Sequence, residues 1–161
     1  MGEEPEVSNM NGNEQKGLES LVVWQKSLQF TLDISRHIIP KLPECEKYAL
    51  ISQLRRSCQS IPANIAEGYG RFYYQEGIRF AYIARGSLQE TRSHLTFAQE
   101  MGYISVDDFV NIKIFIEELQ KLTNGYINYL KRTKQGIGEP GTHYFTSDTV
   151  IDSLDTHVLE E

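Results

Sequence analysis

Cysteine is scarce in this chain. Cys45 and Cys58 are the only two in 161 residues, and they lack the spacing of a disulfide framework or a metal site. Reduced thiols in a cytoplasmic protein are the expectation. No apolar run approaches the roughly 18 residues that a membrane helix needs, so no membrane contact is expected. The first stretch, MGEEPEVSNMNGNEQKG, has neither the basic start nor the apolar segment of a secretory signal. Catalytic signatures are missing as well: there is no GxSxG, no P-loop and no HExxH. Four scattered histidines, His37, His94, His143 and His157, make no triad without geometry. The chain therefore reads as a non-enzyme without cofactor or metal. It has no internal repeat and no convincing strand pattern.

What is present is charge in separate places. The net charge is −6. Residues 1–17 carry −3 and residues 134–161 carry −5, whereas residues 18–133 carry 14 Lys and Arg against 12 Asp and Glu. The acidity lies in the two ends, which read as a flexible acidic arm (1–17) and a flexible acidic tail (134–161) around a mildly basic domain. Such ends solubilise, and they can also compete electrostatically with nucleic acid for a basic surface.

Between the ends the apolar residues recur at threes and fours, which predicts four helices. The first runs from about Ser20, a candidate N-cap, to Ile39 before Pro40, with Val23, Trp24, Ser27, Leu28, Phe30, Thr31, Ile34 and Ile38 inward. The second runs from about Glu44 to Gly70, with a kink or break expected at Pro62. The third spans about Gln75 to Met101 over a core stripe of Gly77, Phe80, Ala84, Leu88, Thr91, Leu95 and Ala98. The fourth opens on the candidate cap Ser105 and carries the seam Phe109, Ile112, Ile116, Leu119, Thr123, Tyr126 and Leu130. Short connections favour antiparallel neighbours. The fold expected is all-α: an antiparallel up-and-down four-helix bundle over 18–133 with a proline-kinked second helix.

Two polar patterns are candidates for function. On the second helix Gln53, Ser57, Ser60, Asn64, Glu67 and Arg71 form a polar stripe beside the apolar edge of Leu54, Cys58, Ile61 and Ile65. It would line a groove or a subunit contact, or else satisfy the backbone around Pro62, whose ring leaves the Cys58 carbonyl without its donor. On the third helix Tyr82, Arg85, Gln89, Arg92, Thr96 and Gln99 share one side, opposite the core stripe. With Arg55, Arg56, Arg71 and Arg79 nearby, that side offers forked donors and a flat ring, which suit phosphates and unstacked bases. The candidate nucleic-acid contacts are Arg55, Arg56, Arg79, Tyr82, Arg85 and Arg92. Glu90 and His94 lie at i, i+4, but no third ligand is near in sequence, so an ion pair is the simpler reading.

The run QLRRSCQSIPANIAEGYGR, followed by FAYIARGSLQET, resembles the family of small four-helix-bundle proteins first named from open reading frames in intervening sequences of bacterial 23S rRNA genes. The likeness begins at LVVWQKSLQF, passes through Pro43, Glu44 and Tyr48, and ends near Leu130. More distantly the family is similar to the accessory protein of diversity-generating retroelements, a helical pentamer that binds a reverse transcriptase and nucleic acid. The resemblance implies a bundle, a homo-oligomer such as a pentameric ring, and no catalytic residue. Small and apolar residues on both sides of the second and third helices agree with further packing. The function expected is an oligomeric scaffold binding RNA or a nucleoprotein. The alternative is a protein-binding adaptor, such as an accessory subunit of a retroelement reverse transcriptase.

Overall fold

The structure is a computed structural model and describes residues 17–134. The acidic arm and tail expected from the sequence lie outside the described residues, except for Gly17 and Lys134. Four helices dominate: α1 (Val22–Asp33), α2 (Leu50–Tyr69), α3 (Tyr74–Glu100) and α4 (Val106–Thr133). Each runs antiparallel to the one before it. α2 packs most extensively on α3, α3 on α4, and α1 on both α2 and α4, so the helices close a ring around one core. No strand occurs among the described residues. The up-and-down bundle expected from the apolar spacing is the fold observed.

The core follows the predicted seams. Phe30, Leu54, Ile61, Ile65, Leu88, Leu95, Ile116 and Leu119 are fully enclosed. Burying a side chain of this size favours the folded state by about 1.5–3 kcal/mol each. Several boundaries differ from expectation. Ser20 does not cap α1; it ends a 3₁₀ turn (Leu18–Ser20), and its hydroxyl donates to the Gly17 carbonyl at 2.8 Å. The helical rod of α1 then widens over Ile34–Ile38, where the N–H of Ile39 reaches back five residues to Ile34. This wide turn directly precedes Pro40, which has no N–H to continue a regular ladder. α2 begins at Leu50 rather than Glu44. Glu44–Glu46 forms a separate 3₁₀ turn, and the Glu46 carboxylate accepts the N–H of Leu50 at 3.3 Å.

α2 is not interrupted at Pro62, which lies buried inside it. A proline removes the donor for the carbonyl four residues earlier, here Cys58. Thr31 of α1 replaces it: its hydroxyl donates to the Cys58 carbonyl at 2.7 Å in the core. The same hydroxyl lies 2.9 Å from the Ser27 carbonyl. That oxygen already has the backbone N–H of Thr31 in a regular helix, so the single hydroxyl hydrogen is needed most at Cys58. The donor for the freed carbonyl therefore comes from the neighbouring helix, not from Ser60 or Asn64.

Two ends are well defined. Ser105 caps α4 by accepting the N–H of Asp108 at 3.1 Å. Gly102, at φ +72°, closes α3 with its N–H on Gln99 and that of Tyr103 on Ala98, a turn that a left-handed glycine permits.

Candidate nucleic-acid interface

The polar residues of α2 and α3 divide into two sets, one enclosed and one open. The enclosed set lies between α2 and α3. Ser57 Oγ meets Thr91 Oγ1 at 2.9 Å, and Ser60 Oγ meets Ser87 Oγ at 2.9 Å. Asn64 Nδ2 donates to both the carbonyl and the hydroxyl of Ser60, at 2.7 and 2.8 Å. Ser57 and Thr91 are almost wholly buried. Three members of the predicted α2 stripe thus spend their hydrogen bonds inside one chain. The others lie outside this seam. Gln53 is exposed, and Arg71 pairs with Glu67 one turn before it. Close approach of the backbones at the end of the seam depends on Gly68. A Cβ there would lie 2.9 Å from Phe80 Cβ and 3.1 Å from the Gly77 carbonyl.

The open set lies between α3 and α4. Arg85 Nη1 donates to Asn124 Oδ1 at 3.1 Å, and Gln89 Nε2 to Gln120 Oε1 at 3.1 Å. The Tyr82 ring carries two cations, with Arg85 Cζ at 4.6 Å and Lys131 Nζ at 5.8 Å from its centre. Arg92 follows Arg85 two turns along, half-buried on the same edge. Lys113, Glu117 and Lys121 succeed one another at i, i+4 on the adjoining exposed part of α4. Cations outnumber acids along this edge.

The sequence placed Tyr82, Arg85 and Arg92 opposite the core. The structure puts them at the rim of a helix–helix contact, because a helix in a closed ring has two flanking neighbours. Tyr82 and Arg85 are oriented by contacts with α4, which sequence spacing on α3 alone does not reveal. The remaining candidates do not join them. Arg56 pairs with Glu90 at 3.3 Å across α2 and α3. Arg55 is exposed one step of about 100° around α2 from Arg56. Arg79 is exposed on α3 near the Gly68 end. His94 Nε2 lies 3.7 Å from Glu90. Among the described residues no group of His, Cys, Asp or Glu is placed to hold a metal, and no helix is long and apolar enough to cross a membrane.

One feature was not foreseen. Val106, Val110 and Ile114 recur at i, i+4 and i+8 on α4 and are 63%, 48% and 62% exposed. Their spacing was legible in the sequence, but the seam of Phe109, Ile112 and Ile116 beside them absorbed the apolar signal.

Fold and site together define a small antiparallel four-helix bundle with a hydroxyl-lined inner seam and a cationic outer edge. Residues 19–125 match the family model described as 23S rRNA-intervening sequence protein, and the chain belongs to that family. A solved structure is also similar: a protein of unknown function from the S23 ribosomal protein family of Bacteroides thetaiotaomicron VPI-5482. It is 29% identical with a TM-score of 0.61, over 66% of this chain and 98% of that one. No curated protein matches this chain.

Proposed function

We propose that this protein is a non-enzymatic, oligomeric bundle that binds RNA, alone or within a nucleoprotein, along the α3–α4 edge. The observation that carries this reading is the Tyr82 ring with both Arg85 and Lys131 over it, and Arg92 continuing the row. A guanidinium held at a rim, as Arg85 is by Asn124, presents forked donors to phosphate with less freedom lost on binding than a mobile side chain would lose. The family's association with 23S rRNA intervening sequences supports an RNA context. One edge neutralises few phosphates, so a ring of copies would raise affinity by repeating it. The acidic ends would suppress nonspecific binding by the same electrostatics.

The test is binding of a fluorescently labelled structured RNA, read by anisotropy at several salt concentrations. Wild-type protein is expected to bind in a salt-sensitive way, and Arg85→Glu with Arg92→Glu to weaken it at least tenfold. Absence of salt-sensitive binding, or an unchanged affinity in the variant, would overturn the reading.

The exposed row Val106, Val110 and Ile114 favours a second reading, a protein-binding adaptor, because apolar residues at that spacing suit a partner helix. A partner that stays bound after nuclease treatment in high salt, and is lost with Ile114→Glu, would favour the adaptor over RNA.

A further inference from the structure

At the end of the bundle where the described chain begins and α4 finishes, a groove of about 670 Å³ opens between α2, α3, α4 and the first turn, with Gly17, Ser20 and Leu21 on that side. Its walls include Tyr69, Phe72, Tyr73, Tyr74, Tyr126 and Tyr129. Six aromatic rings converge on one concavity in a chain whose interior is mainly aliphatic. They are not all used for packing. Phe72 is 54% and Tyr129 51% exposed. Phe72 stands edge-on to Tyr73, with ring centres 5.2 Å apart. Tyr126 forms the floor and is nearly buried. Its phenol is pushed up to about 12, first by burial and then by the neighbouring Tyr69 and Tyr129. The ring cluster is therefore tight at the bottom and open at the top. Gly68 and Gly77 also line the groove, where they let α2 and α3 approach closely.

The last turns of α4 border both the groove and the cationic edge. Tyr129 and Leu130 line the groove, and the next residue, Lys131, reaches the Tyr82 ring beside Arg85. Arg132 and Lys134 extend the positive charge of the last turn of α4, and Arg71, paired with Glu67, also lines the groove. The volume falls in the range of about 300–1,000 Å³ typical of small-ligand sites. Open aromatic faces beside a row of cations match one ligand chemistry well: unpaired nucleotides, whose flat bases stack while their phosphates meet Lys and Arg. A double helix offers phosphates but keeps its bases stacked on one another, so it would use the edge and not the groove.

We infer that the aromatic groove bounded by Tyr69, Phe72, Tyr126 and Tyr129 is a stacking site for unpaired bases of RNA whose backbone runs along the α3–α4 edge. The inference rests on the RNA reading of that edge, and the test keeps the two apart. Adenosine, which has no phosphate, probes the groove alone. In the full chain, adenosine is expected to perturb the ring resonances of the groove tyrosines in NMR spectra. Tyr129→Ala should abolish the effect, and Tyr129→Phe should retain it because the ring remains. With single-stranded oligoadenylate, Tyr129→Ala and Phe72→Ala are each expected to weaken binding roughly 5- to 100-fold. Both should leave binding of a duplex of equal length and the salt dependence unchanged. Arg85→Gln with Arg92→Gln should show the converse: weaker binding of both RNAs and normal adenosine binding. No adenosine effect, together with wild-type oligoadenylate affinity in Tyr129→Ala, would overturn the groove and leave the edge standing. Adenosine binding through Tyr129 without any salt-sensitive RNA binding would support the groove and overturn the edge.

Discussion

The two edges of α3 are built from similar polar residues and do opposite things. Toward α2, Ser87 and Thr91 meet Ser57 and Ser60, and each hydroxyl is used by another within the bundle. Toward α4, Arg85 and Gln89 also find partners, Asn124 and Gln120, but at the surface and with charge to spare. A buried hydroxyl left without a partner costs about 1–3 kcal/mol, so the inner seam is bound to its arrangement. Exposed contacts at the outer edge contribute little to stability, so that edge is free to exchange a side-chain partner for a ligand. Polar residues on a helix therefore do not indicate a binding surface by themselves. Their exposure and charge decide it.

The sharpest way to break the inner side is Gly68→Ala. The new methyl would meet a backbone oxygen and a Cβ rather than the end of a flexible side chain, so α2 and α3 must move apart. Overpacking of this kind is expected to cost about 3 kcal/mol, read as a lower urea midpoint. Thr31→Val comes next. It keeps the shape but leaves the Cys58 carbonyl buried without a donor, at a cost of about 2 kcal/mol. Pro62→Ala would restore a backbone N–H to that carbonyl. In that background Thr31→Val should cost measurably less, and equal costs in both backgrounds would refute the assigned role.

Alkali should also act on the enclosed side. Burial pushes the Cys58 thiol up to about 11 from an ordinary value of 9.0. Because the folded value is raised, the stabilisation is complete below about 9 and is lost as pH rises through 11. By pH 10 the loss is roughly 1 kcal/mol, and Cys58→Ala should flatten that part of the pH profile of the urea midpoint. Gly86→Ala probes the outer side of α3. A Cβ at Gly86 meets nothing within 4 Å, so helix propensity should stabilise the chain by up to about 1 kcal/mol. A loss instead, accompanied by a smaller mass in light scattering, would mean that a second copy packs on that face. The smallest stability effect belongs to Arg92→Gln, within about 0.5 kcal/mol.

Much of the fold was legible because apolar spacing and turn chemistry agreed. Ile112, Ile116, Leu119, Thr123 and Tyr126 are all buried as their threes and fours require, and Ser105 caps as its position before Asp107 and Asp108 implies. The donor for the freed Cys58 carbonyl was not legible, since Thr31 lies 27 residues away and only packing brings it near. The same holds for the polar stripe. Gln53, Ser57, Ser60 and Asn64 share a spacing, but only the position of α3 separates the enclosed hydroxyls from the exposed amide. The aromatic groove escaped for a similar reason. Its rings come from the end of α2, the following turn, the start of α3 and the last turns of α4, and only packing brings them together.

The most direct test is the salt dependence of RNA affinity in three proteins: wild type, Arg85→Gln with Arg92→Gln, and Ser57→Ala with Ser60→Ala. Each phosphate contact adds roughly 0.7–0.9 to the slope of log affinity against log salt. The α3–α4 account predicts that losing both arginines makes the slope shallower by roughly 1.4–1.8, and that losing both serines leaves it unchanged. An unchanged slope without the arginines, or a changed slope without the serines, would contradict the division between an inner seam that holds the bundle and an outer edge that binds.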